Sequence, residues 1–487
     1  MSTKTQWMPV IGLEVHCELA TNTKLFCSCA NAFGAPPNTN ICPVCLGLPG
    51  SLPVLNARAV EFSLRLAEAL NFTVPDKSVF ARKNYFYPDM PKDYQVTQFE
   101  LPILQDGVID VDGVTIGIER AHLEEDTGKS SHMGGGGRIH DAEYSLVDYN
   151  RAGVPLLEIV SRPDIRSAEQ ARGYVSELRA VLLAIGVSDV KMEEGSMRVD
   201  ANISLRASEA DEFGTKVEIK NMNSLRSLGR AIDHEIDRQA EALETGETII
   251  QETRHWDENE NRTSGMRSKE GSSDYRYFPE PDLVPVAPTA EQRAAVRDSL
   301  PELPARRRER LIEAWGITLP DARILVDVPG LADYAEAAVA ALAGGAARDV
   351  VNLCTGDLLA YLNETGRTPA AIALDPAGLA ELADLIGDGT LSRSLAQEVF
   401  AACVADGSSP RAVVAEKGLA QVSDTGELGT ILDAVIAANA DAVAQYHAGD
   451  DKERKKKRGF LMGEAMKASK GQGNPQLLNQ LLDERLV

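Results

Sequence analysis

Four absences narrow the reading of this 487-residue chain before any motif is considered. No uninterrupted apolar run is long enough to cross a bilayer as a helix. Residues 1–7, Met-Ser-Thr-Lys-Thr-Gln-Trp, do not have the pattern of a secretory signal, so a cytoplasmic location is expected. Positive charge is in deficit. Fifty Lys and Arg face 73 Asp and Glu, a net charge of −23 that argues against indiscriminate nucleic-acid binding. An even cysteine set is lacking as well. Of seven cysteines, four crowd into residues 27–45, which suits a reducing compartment and a metal site better than a disulfide framework.

Nucleotide-binding loops are also missing, despite two look-alikes. Asp126-Thr-Gly128-Lys129-Ser130 resembles the end of a P-loop, but Leu123 occupies the place of its first glycine. Gly134 to Gly137 lacks the GxGxxG spacing and reads as a hairpin tip. What is present is an ordinary globular composition, 44% hydrophobic and 25% charged, long enough for about two to four domains.

The stretch from Glu119 to Glu158 concentrates the chemistry. Glu124, Glu125 and Asp126 are flanked by His122 and His132, a dense set of metal-ligand side chains. Further on, Leu156-Leu-Glu158-Ile-Val160 has the composition of a buried strand with a carboxylate in its middle. Such a carboxylate is costly unless it is paired or coordinates a metal. Ile11 to Leu19 alternates like a half-buried strand and puts Glu14, His16 and Glu18 on one face. That face is either solvated or part of the same site.

Cys27-Ser-Cys29 and Cys42-Pro-Val-Cys45 form two knuckles twelve residues apart. Four thiolates so spaced assemble a closed tetrahedral zinc site, which holds a loop and leaves no position open for chemistry. Arg82 to Tyr94 packs aromatics, prolines and cations into a loop-like segment, either a packing corner or a phosphate holder. Helical periodicity marks Asn56 to Leu70, Ser167 to Ile185 and Leu225 to Leu243, the last with Asn223 or Ser224 as N-cap. Strands and hairpins are expected over Thr97 to Gly117, with Asp106-Gly and Asp112-Gly as turns.

Near Thr289 the texture changes to alanine-rich helices with few aromatics, Ala347 to Leu362 among them. Ser408-Ser-Pro410 marks a further break. The fold expected is α+β: a strand-rich domain over 1–290, a helical domain over 291–408 and a small all-α tail over 409–487. In the tail, Arg454, Lys455, Lys456, Lys457 and Arg458, with Lys467 and Lys470, make the one strongly basic segment. It is either a phosphate-backbone binder or a solvated helix face.

Long motifs in this order resemble the B subunits of the bacterial GatCAB tRNA amidotransferases. They are I-G-L-E-V-H, R-K-N-Y-F-Y-P-D, H-L-E-E-D-T-G-K-S-S-H, N-R-A-G-V-P-L-L-E-I-V, E-G-S-M-R-V-D-A-N-I-S, K-N-M-N-S and S-D-Y-R-Y-F-P-E-P-D-L. The C-terminal M-K-A-S-K-G-Q-G-N-P-Q-L-L-N-Q-L-L is similar to the family tail shared with YqeY proteins.

The resemblance implies a cradle domain that binds ATP, Mg²⁺ and the misacylated 3′ end of tRNA, and a helical region and tail that hold the tRNA body. It implies phosphorylation of the Asp or Glu side chain on tRNA(Asn) or tRNA(Gln), followed by amidation. Ammonia would come through a channel from a separate amidase, the GatA protein of the heterotrimer, with the small GatC protein joining the two. Nothing in this chain resembles an amidase nucleophile. By resemblance the catalytic metal ligands are Glu14, His16, Glu125 and Glu158, with Glu124 nearby, and Lys83 and Asp200 lie near the ATP and tRNA-end site. The cysteine quartet occurs in only part of the family. The rival reading is a non-catalytic zinc-containing RNA-binding scaffold, which leaves the carboxylates unexplained.

Overall fold

The computed structural model describes residues 7–134, 142–266, 274–422, 424–469 and 471–486. The chain divides into two compact units, 1–303 and 304–487.

The first unit is built on strands β1 (Met8–Glu18), β2 (Phe80–Asn84), β3 (Tyr94–Gln98), β4 (Leu104–Val111), β5 (Val114–Glu125), β6 (Lys129–Met133), β7 (Tyr144–Asp148), β8 (Pro155–Ser161), β9 (Met197–Arg206), β10 (Val217–Met222), β11 (Thr253–Asp257), β12 (Arg262–Gly265) and β13 (Phe278–Pro279). Helices α1 (Ala57–Ala69), α2 (Ala168–Ala184), α3 (Leu225–Glu244) and α4 (Ala290–Asp298) accompany them. Eight strands form one sheet in the order β12-β11-β10-β9-β1-β8-β5-β4, and β13-β2-β3 and β6-β7 form smaller ones. Only the β10–β11 pair of the large sheet is parallel.

Alternation along these strands decides which face is which. Leu13, Val15 and Cys17 of β1, Leu123 of β5, Leu157 and Ile159 of β8 and Val199 and Ala201 of β9 are buried in one apolar core. Phe62 and Leu66 of α1, Tyr174 and Leu178 of α2 and Leu228 and Ile232 of α3 belong to the same core. An antiparallel sheet needs only one covered face. The intervening residues, His16, Glu158 and Asp200 among them, lie on the other.

The local sequence explains the helix starts. Asn56, Ser167 and Ser224 have extended backbones, and their side-chain oxygens accept from free amides of the first turn. Asp112-Gly113 makes the expected hairpin turn, both residues having positive φ. Asp106-Gly107 does not turn the chain. Asp106, at φ 53°, lies within β4, and the β4–β5 register is the same on both sides of it, Gln105 facing Arg120 and Gly107 facing Ile118. The segment 82–94 is more regular than its composition suggests, since both of its ends belong to the β2–β3 pair. The tip glycines Gly135, Gly136 and Gly137 lie outside the described residues; β6 and β7, which flank them, pair as a hairpin.

The change of texture at Thr289 coincides with the N-cap of α4, but the first unit continues to Leu303. Arg293 and Arg297 of α4 bind Glu68 of α1 at 3.4 and 2.8 Å.

The second unit is helical: α5 (Pro304–Trp315), α6 (Leu319–Asp327), α7 (Leu331–Ala340), α8 (Ala347–Leu353), α9 (Leu359–Thr365), α10 (Pro376–Gly387), α11 (Arg393–Asp406), α12 (Pro410–Lys417), α13 (Thr425–Ala438), α14 (Ala440–Ala448), α15 (Asp451–Ala468) and α16 (Pro475–Arg485). The single helix read over Ala347 to Leu362 is α8 and α9 joined through a π-helical turn at Cys354–Leu358. Two cores are present. One includes Leu325, Leu379 and Val399 and extends to Leu419, past the break at Ser408. The other is formed by Leu428, Leu432, Leu461, Leu478 and Leu482.

Glu235, fully buried on α3, fastens that helix to the sheet edge. It accepts from Arg238 at 2.5 and 3.0 Å and from Thr263 at 3.2 Å, and faces Arg254 at 3.6 Å. Glu235→Ala removes one partner of a buried ion network and should destabilise the first unit by about 3 kcal/mol. Urea unfolding followed by the buried Trp256, with the other two tryptophans replaced by Phe, measures it; a loss below about 1 kcal/mol would contradict this role.

Candidate active site

The site is a row of ionisable side chains across the polar face of the large sheet. Pairing sets it up directly. His16 of β1 stands opposite Glu158 of β8, and Glu158 stands opposite His122 of β5. On the other side of β1, Arg198 of β9 faces His16 and Asp200 faces Glu14. Period-two alternation adds Glu124, two residues beyond His122 on the same face.

His16 Nδ1 lies 3.3 Å from Glu124 Oε1 and 3.9 Å from Glu158 Oε2, and its Nε2 lies 4.0 Å from Asp200 Oδ2. His122 Nε2 is 3.4 Å from Glu158 Oε2. Asn202 donates to Glu14 Oε1 at 2.9 Å, and Lys220 binds Asp200.

Charge is balanced closely here. Burial opposes protonation of His16, but the Glu124 hydrogen bond and the surrounding carboxylates push its pKa up to about 9. Burial also opposes ionisation of Glu158, yet His122, His16 and Lys83 hold it well below the usual carboxylate range. Glu14 is raised by burial and by Glu158 and Glu218, against the pull of Lys220. Glu18, at the end of β1, is raised to about 7 by burial and by Asp126, whose own partners are Arg198 at 3.1 Å and Arg151 at 3.3 Å.

Two ligand groups have donor atoms within 4.8 Å of one another: His16, Glu124 and Glu158, and Glu14, His16 and Asp200. His16 belongs to both. This oxygen-rich set, with one imidazole, fits a hard divalent cation that tolerates a nitrogen ligand. Among the described residues, His122 Nδ1 is buried without a hydrogen-bond partner.

The structure therefore gathers His16, Glu124, Glu158, Glu14 and Asp200. It does not bring Glu125 to them. Glu125 has the parity of Leu123 and faces the other way, 2% exposed. Its carboxylate accepts the Val96 amide at 2.8 Å and binds Lys92. His132 is also elsewhere, bonding Ser145 across the β6–β7 pair at 2.8 Å. Lys83 lies over the Tyr275 ring at 5.0 Å. Its pKa is raised, the attraction of Glu124, Tyr277 and Glu158 outweighing burial. His122 is absent from the ligand set that the family resemblance implies; strand alternation with Glu124 is the signal that locates it.

The four cysteines Cys27, Cys29, Cys42 and Cys45 also converge within 4.8 Å, all as free thiols. Cys45 has its pKa lowered to about 5, chiefly by hydrogen bonding with Cys27, so one thiolate is already favoured. This is a structural zinc site in its donor set. Cys27 and Cys45 also line a cavity of about 190 Å³ shared with Lys92, Tyr94 and Glu125.

Residues 9–293 match the family model for the GatB/GatE catalytic domain, and 333–486 match the GatB domain. The chain belongs to the GatB family. The second match runs across both cores of the helical unit. Among GatB relatives, the B subunit of the aspartyl/glutamyl-tRNA(Asn/Gln) amidotransferase of Thermosynechococcus vestitus is 51% identical over 98% of this chain and 96% of its own. The protein of the same name from Carboxydothermus hydrogenoformans is 48% identical over 99% of both. That from Picosynechococcus sp. is 48% identical over 99% and 98%.

In this GatB chain the basic segment of the second unit lies on α15. Arg454, Lys455 and Lys456 are exposed and Lys457 half-buried. Arg458 is committed to the fold, its Nε and Nη2 donating to Asp483 of α16 at 2.6 and 2.8 Å. Lys467 is exposed and bonds Glu464 at 2.6 Å, while Lys470 lies outside the described residues.

Metal analysis of the purified chain should give about one zinc, lost in the Cys42→Ser/Cys45→Ser variant. A zinc-free preparation with four readily titrated thiols would refute the assignment.

Proposed function

We propose that this polar sheet face is where the side-chain carboxylate of Asp or Glu, esterified to tRNA(Asn) or tRNA(Gln), is phosphorylated from ATP and converted to the amide. As a GatB-family chain the protein is a catalytic subunit of a tRNA-dependent amidotransferase, a ligase that forms a carbon–nitrogen bond with glutamine as amide donor. The observation that carries the assignment of the site is the convergence of His16, Glu124 and Glu158 from three adjacent strands.

His16, Glu124 and Glu158 would hold Mg²⁺, with Glu14 and Asp200 beside them. A magnesium ion held there would supply charge neutralisation for the phosphates of ATP. His122 positions Glu158 through its 3.4 Å contact. Lys83 and Lys220 add fixed positive charge beside the carboxylates, which favours anionic substrates in an otherwise acidic protein.

Glu125 supports the site from behind. Its contacts to Val96 and Lys92 tie the end of β5 to β3 and to the loop before it. The zinc knuckle holds the neighbouring loop and takes no part in the chemistry. Ammonia is supplied by the separate amidase GatA and reaches this chain within a heterotrimer completed by the small protein GatC, in the cytoplasm. Residues 291–487 hold the body of the tRNA, with Arg454 to Lys457 the surface that meets its phosphates.

Reconstitution with candidate GatA and GatC proteins, followed by transamidation of both misacylated tRNAs, tests the reading. Amide formation should require ATP and Mg²⁺. Glu124→Gln and Glu158→Gln should each lower kcat at least about 100-fold, because a neutral amide is a poor ligand for a hard cation. Near-normal turnover in either variant would remove that residue from the ligand set. Glu125→Gln should be milder and should lower thermal stability as well.

Neutralising Lys455, Lys456 and Lys457 together should flatten the dependence of tRNA affinity on salt and raise KM for tRNA, with kcat at saturation nearly unchanged. Unaltered binding at every salt concentration would make this segment a solvated helix face only.

A further inference from the structure

Aromatic side chains make up only 5% of this chain, yet four of them form a continuous ladder beside the carboxylate site. Tyr85 meets Tyr275 edge-on at 6.3 Å between centroids, and Tyr275 meets Tyr277 at 6.1 Å. Tyr277 then stacks on Phe99, with centroids 4.1 Å apart and planes 6° from parallel. The inner end lies under Lys83, whose ammonium is 5.0 Å from the Tyr275 centroid. The outer end is Phe99, 52% exposed. Thr97, two residues before Phe99, donates its hydroxyl to Glu124 Oε2 at 3.4 Å, which sets the ladder beside the ligand carboxylates.

The backbone carrying these rings is held in an unfavourable conformation. Arg276, between Tyr275 and Tyr277, has φ +45°, a left-handed geometry uncommon for a residue with a long side chain. Asn84 pins it there, donating its side-chain amide to the carbonyls of Tyr275 and Arg276 at 3.0 and 2.9 Å. Tyr275 and Tyr277 therefore project from a fixed segment, and the Arg276 guanidinium between them in sequence is 85% exposed, 3.6 Å from the equally open Asp274 carboxylate. A hydrophobic packing corner does not call for a parallel stack whose last ring is open to solvent, nor for an exposed cation beside it. A base-stacking platform with a phosphate partner has both features, because every base offers a π-face and its backbone an anion.

We propose that Phe99, backed by Tyr277, is a stacking platform for an adenine base at the edge of the active site, with Arg276 facing the adjoining phosphate. The proposal rests on the function given above, which offers two sources of adenine: the terminal adenosine of the aminoacylated tRNA and the ATP. From that platform the attached aminoacyl group or phosphates extend along the ladder toward Lys83 and the ligand carboxylates.

The test uses the reconstituted heterotrimer and two fluorescent probes, a misacylated tRNA with 2-aminopurine as its terminal base and 1,N6-ethenoadenosine triphosphate. Stacking on Phe99 should quench one of them on binding. Phe99→Ala should abolish that quenching and raise the KM of the same substrate about 5- to 150-fold, with a smaller change in kcat. Phe99→Trp should restore both. A response confined to the tRNA probe identifies the terminal adenosine, and one confined to the nucleotide probe identifies ATP.

Two results would overturn the platform. One is unquenched probes on the unmodified complex. The other is a Phe99→Ala complex with both KM values within twofold of the parent. Failure of the unmodified complex to form any amide counts against the function above instead, and the binding-only quenching readout still decides the platform.

Discussion

Burying acid on a sheet is the constraint from which the rest of the first unit follows. Glu158 sits in the middle of a strand whose neighbours Leu157 and Ile159 are fully buried, and it is kept ionised by two histidines and a lysine from other elements. Ionised carboxylates in such a place are tolerated only with fixed counter-charge. The sheet supplies it by register, which sets His16 and His122 on either side of Glu158. A slip of one residue in either pairing would turn the histidines into the core and the leucines out. Fold and site thus depend on the same hydrogen-bond ladder. The price of keeping so much acid together is a face that cannot be covered by an apolar helix.

The zinc knuckle and the site are joined through backbone and not through shared ligands. Lys24, 1% exposed, donates its ammonium to the carbonyls of Asn40 and Tyr149 at 2.8 and 3.2 Å. Gly153, at φ +84°, accepts from the Leu25 amide and donates to the Asp126 carbonyl, both at 2.9 Å. The cysteine loop, the end of β5 and the entry to β8 therefore meet at one turn. An added Cβ at Gly153 would lie 3.6 Å from Cys45 Cβ and 3.8 Å from Glu125 Oε2, in a backbone conformation that side chains rarely adopt.

Much of this is legible in the residues, and the reasons for the remainder are physical. Alternation locates β1, strand composition locates β8, and helical periodicity locates α1, α2 and α3 to within a residue. The same alternation separates Glu124 from Glu125, whereas resemblance by motif treats them as neighbours in one site. His132 looks equivalent to His122 in sequence because spacing along the chain says nothing about which sheet a residue joins. Asp106-Gly107 carries the residues of a turn, but the strand pairing on both sides runs through it in one register. The π-turn at Cys354 leaves the 3.6-residue pattern almost intact and is invisible in composition. Aromatic stacking across segments about 180 residues apart cannot be read from either segment alone.

The position of β1 has a consequence for biosynthesis. It leaves the ribosome before either of its partners, yet it ends in the middle of the eight-stranded sheet, between β8 and β9. Its partners are encoded at residues 155–161 and 197–206. At roughly 5–20 residues per second, β1 waits about 10–40 s before both its edges are satisfied. During that interval at least one ladder of the strand is open beside its apolar residues Ile11, Leu13 and Val15. The nascent chain is then a client for any factor that shields strands, and β9 is the segment whose emergence ends the exposure.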